Sequence, residues 1–135
     1  MPTVSRILII EDDLTLRTLM ADVVREEGFS VDTVGSGEEA LDYLQNRQYD
    51  LILTDVILPG INGLEVLRQR RMRGIPSRVI IITGYPTIEA ASLAKQWGAV
   101  GFLTKPFTLS ELRAHLRNAL SEEPVTQISL RKASG

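Results

Sequence analysis

Acidic, hydroxyl and ammonium side chains follow four separate apolar segments of this 135-residue chain. The residues in question are Glu11, Asp12, Asp13, Asp55, Thr83, Thr104 and Lys105. In open α/β sheets, ligands bind beyond the carboxyl ends of the strands. If the four segments are neighbouring strands, three or four carboxylates, a hydroxyl and an ammonium group converge at one edge.

Such a cluster of carboxylates requires a cation. Two carboxylates about 4 Å apart repel each other by roughly 4 kcal/mol at an effective dielectric constant of 20, and one lysine cannot neutralise three of them. Mg²⁺ binds one or two carboxylates together with waters and phosphate oxygens. A phosphoryl group could then lie between Mg²⁺, the Lys105 amine and the Thr83 hydroxyl, which would stabilise its transfer. Asp55 is the predicted nucleophile, which would form an aspartyl phosphate.

Five short runs rich in Ile, Val and Leu predict the strands that must position these groups. Most of the runs show no polar alternation, which is typical of parallel strands covered on both faces. The predicted strands span 7–10, 31–34, 51–54, 79–82 and 100–103.

A helical pattern follows each predicted strand. Apolar residues at helical spacing predict the first helix, which Gly28 ends. Ser36 with Glu39, and Thr108 with Glu111, predict capping boxes at the starts of the second and fifth helices. The remaining helices are predicted from about 63 to 72, and from just after 87 to 98.

Five alternating strand–helix units predict an α/β fold with a doubly wound, five-stranded parallel sheet. The expected strand order is 2-1-3-4-5, as in flavodoxin-like (βα)5 folds. Residues 1–120 would form this domain, and residues 121–135, which lack periodicity, would form a C-terminal tail or the start of a linker.

Composition excludes several classes of function. Fifteen basic and seventeen acidic residues give a net charge of −2, which provides no electrostatic case for nucleic acid or anionic membrane as a partner. Cysteine is absent and His115 is the only histidine, which rules out thiol nucleophiles and multi-histidine metal centres. No apolar run is long enough for a transmembrane helix and the first residues do not look like a secretory signal, so we expect a cytoplasmic location.

Four motifs now resemble those of a known family, the receiver domain of bacterial two-component response regulators. The resemblance extends from about residue 6 to residue 120. The motifs occur in family order, each at the end of the corresponding strand, and are Ile9-Ile10-Glu11-Asp12-Asp13, Leu53-Thr54-Asp55-Val56-Ile57-Leu58-Pro59-Gly60, Ile82-Thr83-Gly84 and Phe102-Leu103-Thr104-Lys105-Pro106-Phe107.

The resemblance implies a role for each matching residue. Asp55 is the implied phosphoacceptor, and Lys105 and the Thr83 hydroxyl are implied to contact the phosphoryl group. The implied Mg²⁺ ligands are Asp12, Asp13, Asp55 and the main-chain carbonyl of Ile57. Phe102 occupies the aromatic switch position, and the Lys105–Pro106 peptide bond is implied to be cis.

The resemblance also implies the partners of the domain. The phosphoryl donor would be a phosphohistidine on a sensor histidine kinase or phosphotransfer protein, and His115 is not that histidine. A downstream output domain or target protein would respond to a changed surface on the fourth helix, fifth strand and fifth helix, and a homodimer on activation is a further expectation. The chain would not be an enzyme in the ordinary sense, because it would catalyse only its own phosphoryl transfer and dephosphorylation.

Two positions near the predicted site vary within the family. Ile57 and Tyr85 stand two places after Asp55 and Thr83, where they would flank the path of a hydrolytic water. Our hypothesis is that these bulky, non-acidic side chains slow the loss of the phosphoryl group.

Other interpretations of the sequence are weaker. Residues 35–40 match the G-x-G-x-x-A dinucleotide fingerprint, but Glu38 and Glu39 would repel a pyrophosphate there. Arg68, Arg70, Arg71 and Arg73 are interpreted as a solvated helix face rather than a DNA-binding patch. The main alternative is an interaction module of the same fold that is never phosphorylated.

Overall fold

The strands form one parallel sheet. A computed structural model describes residues 5–121 of the chain. The strands are β1 (Arg6–Ile10), β2 (Ser30–Val34), β3 (Leu51–Asp55), β4 (Arg78–Thr83) and β5 (Gly101–Thr104). They pair in the order β2-β1-β3-β4-β5, which confirms the predicted fold class and strand order. Every predicted strand end lies within one residue of the observed end.

One helix follows each strand. The helices are α1 (Leu14–Glu26), α2 (Gly37–Asn46), α3 (Gly63–Met72), α4 (Ile88–Gln96) and α5 (Leu109–Ala119). A polar side chain caps each N-terminus by accepting a hydrogen bond from the backbone N–H of the third helical residue. These capping residues are Asp13, Ser36, Asn62, Thr87 and Thr108.

The two predicted capping boxes differ. Thr108 and Glu111 form both reciprocal hydrogen bonds. The Ser36 hydroxyl accepts from Glu39 N at 3.2 Å, but the Glu39 carboxylate accepts from Gly35 N, at 3.3 Å, rather than from the backbone of Ser36. The second helix therefore begins where predicted, with a variant of the predicted cap.

The sheet has an apolar core on each face, because successive side chains of each strand point alternately towards the two layers of helices. Ile7, Ile9, Leu51 and Leu53 pack with α1 and α5 on one face. On the other face the core joins the intervening strand residues to α2, α3 and α4; among its buried members are Leu8, Ile10, Ile52, Ile81, Val66, Leu67 and Ala94. With both faces covered, the strand ends are left for polar chemistry.

The arginines at the end of α3 form the solvated face that the sequence suggested only in part, because Arg71 and Arg73 are exposed but Arg70 is not. The Arg70 guanidinium is half-buried and donates to the carbonyls of Ser77, at 3.0 Å, and Trp97, at 2.9 Å. Arg71 donates to the Gln96 carbonyl at 3.0 Å. These two side chains tie α3 to the end of α4, because carbonyls left by the ends of other elements lie within their reach.

No helix among residues 5–121 is both long and apolar enough to cross a bilayer. The tail expected over 121–135 lies outside the described residues, except for Ser121.

Candidate functional site

The carboxyl ends of β1, β3, β4 and β5 bring polar residues together. Asp55 ends β3 and Thr83 ends β4, while Glu11 and Lys105 directly follow β1 and β5. Lys105 Nζ lies 2.6 Å from Asp55 Oδ2 and 2.8 Å from Glu11 Oε1. Glu11 is 2% exposed and Asp55 is 8% exposed, so this ammonium group bridges two carboxylates that are largely withdrawn from water.

A third carboxylate completes the cluster. Carboxylate oxygens of Glu11, Asp12 and Asp55 all lie within 4.8 Å of one another, which is close enough to share a cation. Asp12 is exposed, whereas its two partners are buried. Oxygen-rich donor sets of this kind suit a hard divalent cation such as Mg²⁺.

Asp13 lies outside this group. Its side chain accepts a hydrogen bond from Leu16 N at 3.2 Å and caps α1. Its backbone N–H donates to Glu11 Oε2 at 3.1 Å. The structure thus pairs Asp12 with Glu11 rather than with Asp13, the pairing assigned from the sequence, because α1 begins at Leu14 and takes the preceding carboxylate as its cap.

The ionisation of the cluster follows from its burial and its hydrogen bonds. Burial raises the pKa of Glu11 above its usual value, although hydrogen bonds from Lys105 and from the backbone of Asp13 act in the opposite direction. Burial alone would lower the pKa of Lys105, but its hydrogen bonds to Asp55 and Glu11 outweigh burial and raise it. Lys105 therefore remains protonated at neutral pH, yet it supplies only one positive charge to three carboxylates.

Thr83 lies beside the cluster at the end of the neighbouring strand. Asp55 pairs with Ile82 of β4, which places Thr83 one residue further along the same edge. The Thr83 side chain is fully buried, and its Oγ1 accepts a hydrogen bond from Tyr85 N at 3.0 Å. Because that bond uses the oxygen as an acceptor, the hydroxyl proton can be donated to another group.

The remaining residues named from the sequence lie just after β3 or within and after β5. Ile57 N donates to Asp55 Oδ1 at 3.2 Å, so the backbone after β3 folds back towards the acid. Phe102 is half-buried in β5, opposite Ile81, and packs against the core beneath α3 and α4. The Lys105–Pro106 peptide bond is cis.

Two large side chains stand exposed around the cluster. Ile57 is 54% exposed and Tyr85 is 69% exposed. Each follows an acid or hydroxyl of the site by two residues, so both lie where solvent approaches the strand ends.

The sequence contained a signal for the position of Glu11 beside Asp12 that the motif alone did not reveal. Asp13 stands three residues before Leu16 at the start of a helical pattern, which is the position of an N-cap. Glu11, in contrast, continues β1 directly and remains within its hydrogen-bonded ladder, since Glu11 N donates to Val34 O at 3.1 Å. Recognition of the cap would have indicated Glu11, rather than Asp13, as the neighbour of Asp12 in the carboxylate cluster.

Comparison with known proteins agrees with this geometry. The family model described as the response regulator receiver domain matches residues 7–117. The transcriptional regulatory protein TcrA of Mycobacterium tuberculosis is 37% identical over 120 residues, which is 89% of this chain and 47% of TcrA. The sporulation initiation phosphotransferase F of Bacillus subtilis is 32% identical over 115 residues, covering 85% of this chain and 93% of that protein.

Solved structures show the same similarity. A CheY-like receiver domain protein from Methanospirillum hungatei superposes with a TM-score of 0.84 at 27% identity, covering 89% of this chain and 96% of that one. The response regulator TrrA of Thermotoga maritima, solved in complex with Mg²⁺-BeF, superposes with a TM-score of 0.78 at 33% identity, covering 86% and 99%.

The chain spans about half the length of TcrA but most of the length of the sporulation phosphotransferase. The similarity therefore concerns one domain, and within this chain it extends over all five strands and nearly all of the helices. By its sequence, its strand order and its cluster of acids, the chain belongs to the response regulator receiver domain family.

Proposed function

We propose that Asp55 is the phosphoacceptor of this receiver domain and that its phosphorylation switches the surface formed by α4, β5 and α5. One observation carries the proposal. A buried carboxylate at the end of the central strand shares a lysine with a second buried acid, and a third carboxylate lies within 4.8 Å of both. A structural salt bridge would need only one of these acids.

The residues at the strand ends fit Mg²⁺. We propose that the carboxylates of Glu11, Asp12 and Asp55 hold the ion with the main-chain carbonyl of Ile57, while Asp13 remains the cap of α1. The donor set consists of oxygens alone, as this cation prefers, and excess negative charge favours a divalent ion. When bound, Mg²⁺ supplies positive charge that stabilises the oxygens of a phosphoryl group in transfer.

The protein's own groups then perform the transfer. An Asp55 oxygen forms a bond to phosphorus as the phosphorus–nitrogen bond of a donor phosphohistidine breaks, and the electron pair stays on the imidazole nitrogen. The Lys105 ammonium, already 2.6 Å from Asp55, pairs with the negative oxygens. The Thr83 hydroxyl donates a hydrogen bond to one of them, because its proton is available.

The phosphoryl oxygens are new hydrogen-bond acceptors, and they drive the change in conformation. An aspartyl phosphate attracts Thr83 towards Asp55, and the space that Thr83 leaves can admit Phe102. A shift between conformers from 1:99 to 99:1 needs about 5.5 kcal/mol of differential stabilisation. A few charge-assisted hydrogen bonds of roughly 1.5–3 kcal/mol each can supply it.

The partners and location follow from the family and remain part of the proposal. A sensor histidine kinase or a phosphotransfer protein would donate the phosphoryl group in the cytoplasm. An output domain or separate target would read the switched surface, and activation could pair two copies of the chain. Residues 1–120 would be the receiver domain and 121–135 its tail or linker; TcrA, about twice the length of the matched region, shows that relatives carry additional sequence.

Acetyl phosphate with Mg²⁺ tests the phosphoacceptor. We expect intact-protein mass spectrometry to show one phosphoryl increment on the wild-type chain. The increment should be absent from Asp55→Asn and after chelation of Mg²⁺. A folded wild-type chain that gains no increment would instead support an interaction module that is never phosphorylated. An increment that survives in Asp55→Asn would place the modification on another residue.

The same preparation tests whether the domain catalyses its own dephosphorylation. After removal of acetyl phosphate, we expect the increment to decay without any added protein, and to decay more slowly once Mg²⁺ is chelated. A phosphorylated form that stays constant until the protein is denatured would contradict this part of the proposal.

A further inference from the structure

The segment that leaves the phosphoacceptor touches a helix far from it in sequence. We call residues 56–62, between β3 and α3, the β3–α3 loop. Its Ile61 N donates a hydrogen bond of 3.1 Å to Glu38 Oε2, in the first turn of α2 and 23 residues earlier in the chain. Glu38 is exposed and belongs to neither the acidic cluster nor a core, and among the described residues its side chain accepts only this hydrogen bond.

Two glycines allow the β3–α3 loop and the start of α2 to approach each other closely. Gly60 has a φ of +73°, and a Cβ on this residue would lie 2.2 Å from Glu38 Oε2. A Cβ on Gly37 would lie 2.6 Å from Ile61 Cγ1 and 2.9 Å from the Ile61 carbonyl oxygen. The loop and the start of α2 therefore fit together through one residue without a side chain on each segment.

The ends of the β3–α3 loop are fixed near the phosphoacceptor. Ile57 N donates to Asp55 Oδ1 at 3.2 Å, and Gly63 N donates to Val56 O at 2.8 Å. These two bonds hold the loop where it begins and where it meets α3. In the middle of the loop, Leu58 is buried in the core and Ile61 packs against it, and the Glu38 carboxylate adds a hydrogen bond from another element.

We propose that Glu38 is a positioning residue of the phosphoacceptor site. Its carboxylate holds the β3–α3 loop in the conformation that presents the Ile57 carbonyl to the metal. Glu38 acts through the loop and does not touch the reacting atoms. The proposal rests on the function proposed above, because it concerns the same metal and the same acceptor.

The chain contains a matched control for Glu38. Glu39 is the next residue, is also exposed, carries the same charge and lies in the same first turn of α2. Its carboxylate accepts from Gly35 N and the Ser36 hydroxyl and makes no hydrogen bond to the β3–α3 loop. Glu39→Ala therefore removes an equal charge from the same helix end without releasing the loop.

Three variants of Glu38 distinguish the effect of its hydrogen bond with Ile61 N from the effect of its negative charge. Glu38→Ala removes both. Glu38→Asp keeps the charge but shortens the side chain, so the carboxylate no longer reaches Ile61 N. Glu38→Gln removes the charge but keeps an oxygen acceptor at the same reach.

Titration of each full-length variant with Mg²⁺ alone, followed by amide NMR, gives the dissociation constant and reports directly on the loop. We expect Glu38→Ala and Glu38→Asp to raise the Mg²⁺ dissociation constant by about 3- to 10-fold, which corresponds to the loss of one modest interaction. The Ile61 amide should exchange with solvent faster in both. Glu38→Gln and Glu39→Ala should remain within about twofold of wild type.

Three outcomes would overturn the proposal. In the first, Glu38→Ala and Glu39→Ala bind Mg²⁺ equally well. In the second, the Ile61 amide exchanges faster in Glu38→Asp while the dissociation constant stays unchanged, so the loop loosens without consequence for the metal. In the third, the wild-type chain binds no Mg²⁺ at Asp55, which overturns the proposed metal site as well; the first two leave that site intact.

Discussion

The two ends of the sheet both contain charged side chains, but they use them in opposite ways. At the carboxyl end, Glu11 and Asp55 share one lysine and Asp12 lies within 4.8 Å of both acids, so like charges face one another. At the amino end, Arg70 and Arg78 donate to main-chain carbonyls, each of which is an acceptor without net charge.

The contacts at the amino end of the sheet join elements that lie far apart in the sequence. Arg70 bonds the carbonyls of Ser77, just before β4, and Trp97, at the end of α4. Arg78 Nη1 donates to the Ala119 carbonyl at the end of α5. Each guanidinium therefore satisfies carbonyls that the ends of helices and strands leave without partners.

The charged residues at the amino end therefore contribute mainly to stability, and those at the carboxyl end mainly to ligand binding. At the amino end the guanidinium groups satisfy main-chain carbonyls that folding withdraws from water, so these contacts favour folding even though Arg70 Nε is buried without a hydrogen-bond partner among the described residues. The three carboxylates at the carboxyl end carry more negative charge than Lys105 offsets, so they oppose folding and favour the binding of a cation. Removing an arginine at the amino end should therefore destabilise the fold, whereas removing the exposed carboxylate of Asp12 at the carboxyl end should stabilise it.

The largest effect is expected at the amino end. Arg70→Ala leaves the carbonyls of Ser77 and Trp97 without their donors, and hydrogen bonds to charged groups contribute roughly 1.5–3 kcal/mol each. We expect the free energy of unfolding in urea to fall by about 3 kcal/mol. Arg73→Ala, an exposed residue at the end of the same helix, should change it by less than about 0.5 kcal/mol. Equal effects of the two substitutions would contradict the distinction between the two ends.

Addition of Mg²⁺ should stabilise the carboxyl end. At about 100 times its dissociation constant, a ligand that binds only the folded chain raises the free energy of unfolding by about 2.7 kcal/mol. Asp12→Asn should lose most of this gain. Asp13→Asn should keep it, because asparagine caps a helix as well as aspartate does and Asp13 lies outside the cluster. Loss of the gain in Asp13→Asn would restore the acidic pair assigned from the sequence.

Without metal, Asp12→Asn should stabilise the chain. Charges 4–5 Å apart repel by about 1 kcal/mol in a water-like dielectric, and Asp12 is the exposed member of its cluster. We expect the free energy of unfolding in the presence of a chelator to rise by about 1 kcal/mol. A decrease would show that repulsion does not dominate at this end.

At the amino end, the contribution of Tyr49 to the free energy of unfolding should depend on pH in alkaline solution. Burial, together with a hydrogen bond to Asp32, raises the pKa of Tyr49 from 10.0 to about 12. Between these values the unfolded chain releases this proton while the folded chain keeps it, so the Tyr49 contribution to stability falls as pH rises. Tyr49→Phe should cost about 1 kcal/mol at neutral pH, and its difference from wild type should shrink towards pH 12. A difference that stays constant over that range would contradict the assignment.

The smallest effect on stability concerns the exposed residues around the site. Ile57→Asn and Tyr85→Glu should each change the free energy of unfolding by less than about 0.5 kcal/mol, because both side chains are largely exposed. Together they should shorten the lifetime of the phosphorylated form by about tenfold, which is ~1.4 kcal/mol in the barrier to hydrolysis. An unchanged lifetime, measured by decay of the phosphoryl mass increment, would contradict the hypothesis that these bulky side chains slow hydrolysis.

The sequence by itself determined the elements of this protein and the edge of the sheet at which chemistry occurs. Apolar runs and helix caps act over a few residues, so β1 to β5 and α1 to α5 could be predicted nearly to the residue. Asp55, Thr83 and Lys105 could be placed together because parallel strands present their carboxyl ends on the same side.

Only the tertiary structure decided which neighbouring charges meet. The local cap on α1 occupies Asp13, but only the packing of the strands brings Glu11 within reach of Lys105 and Asp55. The links from Arg70 to Trp97 and from Glu38 to Ile61 join residues more than twenty positions apart. Such contacts depend on how elements pack, and a local pattern of residue types does not encode the distance between two side chains on different elements.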